Sequence, residues 1–126
     1  MIDVTEVLQA LPEFKGFCSV QQLQRLCEEL PPDSARFWSE IAGTSVNGLP
    51  IHHIRYGSGS VKVLLVGFPH PNEPVGGLTV FALLTLLSRG HRQLTTADVE
   101  WHIVPWIDGA QVHYGADASH ADPRAD

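Results

Sequence analysis

Val61-Lys62-Val63-Leu64-Leu65-Val66-Gly67-Phe68-Pro69-His70-Pro71-Asn72-Glu73-Pro74-Val75-Gly76-Gly77 is the stretch that decides how this chain folds. Residues 61–67 are apolar apart from Lys62 and rich in valine, the pattern of a strand covered on both faces. Residues 68–74 then read as a loop. From about residue 76 to 88 the chain is mostly apolar, interrupted by Thr79 and Thr85, which reads as a buried helix, and Gly90 is placed to end it. A polar connection through Thr95, Thr96, Ala97 and Asp98 leads to a second strand, Val99-Glu100-Trp101-His102-Ile103-Val104. Strand, helix, strand in that order is a βαβ crossover, so the two strands are expected to be parallel.

Working outward, residues 41–46 and 49–56 flank Asn47-Gly48, the dipeptide favoured in a type I′ hairpin turn. Gly57-Ser58-Gly59-Ser60 forms the next loop. Nearer the N-terminus, Ser19 has the character of an N-cap, and Gln22 three residues later completes a capping box. Val20, Leu23, Leu26, Cys27 and Leu30 follow at helical spacing, and Pro31-Pro32 stop that helix. A short second helix is expected over residues 34–39, carrying Phe37 or Trp38 into the core. From Gly115 onward no large apolar residue occurs, which is the composition of a polar tail. The expectation is one α/β domain over residues 1–114, with a helical segment at 1–40 and a sheet core at 41–110. Its sheet is expected to be mixed but mostly parallel, with flanking helices. Trp38, Trp101 and Trp106 are read as core aromatics.

The chain has 126 residues, enough for one modest core. Its net charge is −6, from eight Lys and Arg against fourteen Asp and Glu, and the basic residues are scattered. That argues against a nucleic-acid partner, which requires a basic patch. No apolar run reaches the roughly 18 residues of a membrane span. The first residues lack the basic start and apolar stretch of a signal peptide, so a cytoplasmic location is expected, without a membrane partner. Cys18 and Cys27 lie nine apart and make no Cys-x-x-Cys pair, and reduced thiols are expected.

Chemistry concentrates at His70 and Glu73. Both sit just past the C-terminal end of a buried parallel strand, where ligands bind in open α/β sheets. An imidazole and a carboxylate three residues apart can reach one cation from a single tight turn, and zinc accepts both. Pro71 and Pro74 would stiffen this loop, and Gly76-Gly77 would let the helix start pack close to the sheet. With seven histidines in the chain, spacing alone does not separate a ligand pair from an ordinary loop.

Three blocks of sequence, in order, resemble the zinc carboxypeptidases of the carboxypeptidase A type. The first is Gly43-Thr44-Ser45-Val46-Asn47-Gly48-Leu49-Pro50-Ile51, similar to that family's Gly-x-Ser-x-x-Gly-x-Pro-Ile hairpin. The second is the apolar strand running into His70-Pro71-Asn72-Glu73-Pro74. The third, Ile103-Val104-Pro105-Trp106-Ile107-Asp108-Gly109, resembles a strand ending in Pro-x-x-Asn/Asp-Pro-Asp-Gly, but lacks the Pro-Asp step. The resemblance spans residues 35–110 or so and implies the phosphorylase/hydrolase-like fold. It also implies that His70 and Glu73 are ligands of one zinc ion. In the family a further His completes the ligand set, a separate Glu serves as general base in cleaving a C-terminal peptide bond, and an Arg holds the substrate carboxylate.

Only His70 and Glu73 have counterparts here. Of the residues after Glu73, Glu100 is the single glutamate, and it falls inside a strand at the wrong end for a base. His113 and His120 follow the Asp-Gly block but read more simply as solvated loop residues. His102 reads as a packed or hydrogen-bonded residue, while His52, His53 and His91 have no ligand-like spacing. No catalytic residue is therefore assigned, and the substrate-binding residues are unknown. The expectation is the front portion of a zinc-carboxypeptidase-like domain, with little or no peptidase activity and with zinc weak or absent. Two alternatives stay open: a non-catalytic remnant or oligomeric binding module, and an aspartoacylase-like zinc amidohydrolase acting on N-acyl amino acids. Lacking a neighbour, residues 61–67 would form an exposed apolar edge, for which a homo-oligomer is expected.

Overall fold

The computed structural model describes residues 2–30, 36–46, 48–69 and 74–107. In chain order these form α1 (Val4–Gln9), α2 (Val20–Glu29), β1 (Phe37–Thr44), β2 (Pro50–Tyr56), β3 (Val61–Phe68), α3 (Pro74–Ser88), α4 (Arg92–Thr95) and β4 (Val99–Trp106). The four strands make one mixed sheet in the order β1-β2-β4-β3. No helix among the described residues is long and apolar enough to cross a membrane.

The crossover read from the sequence is present. β3 and β4 run parallel, with Val61 level with Val99 and Phe68 level with Trp106, and α3 connects them. The other two pairings, β1 with β2 and β2 with β4, are antiparallel. The sheet is therefore mixed, but not mostly parallel. α3 is apolar around most of its circumference and buries Val80, Phe81, Leu84, Leu86 and Leu87. Its end follows from Gly90, whose φ of 72° is open to glycine at little cost. There the Gly90 N–H donates to the Leu87 carbonyl and the His91 N–H to the Leu86 carbonyl, the paired bonds of a Schellman stop. α2 starts as its capping box requires: the Gln22 N–H donates to Ser19 Oγ at 3.1 Å, and the Ser19 N–H to Gln22 Oε1 at 2.7 Å.

Four further expectations are corrected. Residues 37–39 are strand, not helix. Cross-strand pairing overrides the local pattern there, since Phe37 packs edge-on to Tyr56 at 4.6 Å and is buried. Trp38 points to the opposite face, against His53 and Arg55, and is 37% exposed rather than a core residue. The hairpin turn is one residue longer than a two-residue I′ turn. Ser45 N–H donates to the Leu49 carbonyl, Gly48 N–H donates to the Ser45 carbonyl, and Gly48 takes φ 81°. That arrangement fits a three-residue loop closed by a left-handed glycine; Asn47 lies outside the described residues.

The fourth correction concerns β3. One face of the sheet packs on α2 and α3 through Ile54, Ile103 and Leu65. The other face is open among the described residues, so Leu64 is 67% exposed. The strand is apolar but covered on one side only. It is also an edge strand, paired with β4 alone among the described residues. Pro31, Pro32 and the tail at 115–126 fall outside the described residues.

Candidate functional site

The strand end and the helix start that bracket residues 70–73 are held together by the absence of side chains. A Cβ at Gly76 would lie 2.1 Å from the Gly67 carbonyl oxygen, and one at Gly67 would lie 2.4 Å from the Pro105 carbonyl oxygen. Helix α3 thus starts in backbone contact with the last turn of β3, and β3 in turn lies close against β4. The close packing read from Gly76-Gly77 is present, and it places the two anchors of the His-x-x-Glu segment at the C-terminal end of the parallel pair. His70 and Glu73 themselves lie outside the described residues, as do His113 and His120.

Among the described residues, no group of three or more His, Cys, Asp or Glu could hold a metal ion. The donor types at 70 and 73, an imidazole nitrogen and a carboxylate oxygen, suit zinc, but two donors leave a four-coordinate ion half-liganded by protein.

The described histidines divide by position. His91 follows α3, at the opposite end of the sheet from the C-terminal end of β3. His53 and His102 lie on the open face, where His53 Nε2 and His102 Nδ1 approach to 2.8 Å. His52 is different. β2 runs antiparallel to β4, with Ile54 level with Ile103, so His52 falls near the C-terminal end of β4. Its ring meets Trp106 edge-on at 5.3 Å, and the Trp106 indole N–H donates to the Pro50 carbonyl at 2.8 Å. Partial burial lowers the His52 pKa, with Glu28 opposing the shift, which favours the neutral imidazole. Sequence reasoning gave His52 no role, because its place near this end depends on a pairing between strands some fifty residues apart.

Glu100 is placed as the sequence suggested, away from any base position. It sits six residues before Trp106 on β4, about 20 Å from the C-terminal strand end. Lys62 donates to its Oε2 at 2.8 Å, and His102 Nε2 lies 2.6 Å from the same oxygen. The Lys62 contact first, and then His102, hold the Glu100 pKa down at about 2, the opposite of what a general base near neutral pH needs.

The two thiols are structural. Cys18 and Cys27 are free. Burial pushes both pKa values up to about 12, so neither is a nucleophile at neutral pH.

Compared with known proteins, the chain matches no family model and no curated sequence. What the fold defines is the class: a mixed α/β protein with, among the described residues, a four-stranded mixed sheet and one βαβ crossover.

Proposed function

We propose that this chain carries the metal-binding loop of a zinc-carboxypeptidase-like domain, with His70 and Glu73 as ligands of one zinc ion. The observation that supports this reading is the anchoring of the loop. Gly67 and Gly76 clamp its two ends at the C-terminal edge of the parallel strands β3 and β4, where crossing connections leave room for ligands in open α/β sheets. A zinc ion bound there would supply a polarised water and Lewis acidity toward a carbonyl. The chain's own contribution is to hold an imidazole and a carboxylate on a short segment with fixed ends, which lowers the entropy cost of binding.

Peptide-bond hydrolysis additionally needs a third ligand, a base and a cation for the substrate carboxylate. Glu100 does not serve as that base, because it is held ionised by Lys62 at the far end of β4. We therefore propose zinc binding with little or no release of C-terminal amino acids by these 126 residues. A non-catalytic binding module is the rival reading, and metal content separates the two. Zinc co-purifying at one ion per chain, and removed by His70→Ala, supports the metal site. Its absence after purification and dialysis against micromolar zinc supports the module. Release of N-acyl groups in place of C-terminal residues would shift the reading to an aspartoacylase-like amidohydrolase.

The edge position of β3 supports a proposal on assembly. Val61 and Leu64 are 54% and 67% exposed on a strand whose outer side pairs with no described strand. Unpaired N–H and C=O groups beside apolar side chains favour the addition of another strand, here β3 of a second copy.

A further inference from the structure

A chain of polar contacts crosses the open face of the sheet from one edge strand to the other. Glu40 on β1 meets His53 on β2, with Oε1 3.2 Å from Nδ1. His53 Nε2 lies 2.8 Å from His102 Nδ1 on β4, and the two rings stack with 16° between their planes. His102 Nε2 lies 2.6 Å from Glu100 Oε2, which also accepts from Lys62 on β3 at 2.8 Å. The side chains are half-shielded, His53 at 22% and His102 at 26% exposure, so water competes only partly for these contacts.

All four ring nitrogens are engaged, and that limits how many protons they can hold. The two outer nitrogens, His53 Nδ1 and His102 Nε2, face carboxylate oxygens, which only accept, so each must carry a proton. The two inner nitrogens face each other at 2.8 Å, so one must donate and the other accept. Three ring protons satisfy every contact. Two leave a nitrogen lone pair against a carboxylate, and four drive two N–H groups together.

With three ring protons the pair carries +1, and the charged side chains around it, Glu40, Glu100, Lys62 and Arg55 (level with His102 on β2), sum to zero. Among the described residues, this face also carries Arg55, lying 5.1 Å over the Trp38 ring, and Leu64, level with His102 on β3.

We propose that His53 and His102 form a three-proton clasp that ties β1, β2, β4 and β3 together across the open face. The clasp lies in the first half of β4 and beside Lys62 at the start of β3, away from the C-terminal ends of these two strands.

Nitrogen-15 NMR of the imidazole rings in the folded full chain tests this directly, by counting protonated ring nitrogens of His53 and His102 at neutral pH. Wild type is expected to show three. In Glu40→Gln, a half-exposed position, the Gln amide can donate to the bare His53 Nδ1, so the third proton is no longer required and the count is expected to fall to two. Two ring protons in wild type, or three in both proteins, would overturn the proposal.

Discussion

Replacing Gly76 with alanine probes the contact that anchors the candidate metal loop. The new Cβ would sit 2.1 Å from the Gly67 carbonyl oxygen and 3.1 Å from its carbon. A carbon–oxygen contact relaxes at about 3.3 Å, so the helix start has to back away by roughly 1 Å. Gly67 cannot yield easily, because it is itself crowded by the Pro105 backbone. Overpacking of this kind costs about 1–3 kcal/mol, and a gap this large belongs at the upper end. Alanine returns up to about 1 kcal/mol of helix propensity. The net expectation is a loss of about 2 kcal/mol, or about 8 °C in Tm for a domain of this size. Urea unfolding followed by circular dichroism measures it, with an unchanged slope showing that the unfolded state is not the cause. Gly16 provides the control: a Cβ there meets nothing within 4 Å, so Gly16→Ala should be neutral or gain up to about 1 kcal/mol. If Gly76→Ala matches wild type in stability, α3 does not start on the Gly67 backbone, and the anchoring argument fails.

Three further outcomes are expected. Cys18 and Cys27, with pKa values near 12, should resist iodoacetamide at mildly alkaline pH and react once the chain is unfolded in urea; modification of the folded chain at the rate of a free thiol would contradict their burial. Glu100 has its pKa lowered from 4.5 to about 2, so its contribution is present above the ordinary carboxylate value and is lost as pH falls toward the folded one. Acid unfolding curves of wild type and Glu100→Gln should therefore converge over that window, and parallel curves would count against the Lys62 and His102 contacts. Placing a charge on the exposed β3 edge with Leu64→Lys should weaken concentration-dependent self-association in sedimentation velocity, and a wild-type chain that stays monomeric at high concentration would remove the proposed edge pairing.

Local chemistry made part of this fold legible. Ser19 and Gln22 lie three apart and each side chain bonds the other's backbone N–H, so their capping box needed no tertiary context. The same holds for the Gly90 stop and for the βαβ crossover, where an apolar helix between two strands admits one connection. Phe37 and Trp38 defeated the reading because their partners, Tyr56 and Arg55, are contributed by another strand. Apolarity in β3 suggested two covered faces, whereas among the described residues one of them is open and crossed by the His53–His102 contacts. At the candidate site, residue types and the strand-to-helix setting were legible in His70 and Glu73. The position of His52 beside Trp106 was not, since it depends on the antiparallel register of β2 against β4.

Zinc titration of the metal-free chain by calorimetry tests the central claim most directly, using wild type, His70→Ala and Glu73→Gln. The account predicts one ion per wild-type chain, with affinity reduced at least about tenfold in each variant, a loss of about 1.4 kcal/mol. It also predicts no change in the far-ultraviolet circular dichroism of either variant, since both substitutions leave the Gly67–Gly76 contact intact. No saturable zinc binding by wild type, or equal binding by all three proteins, would contradict it.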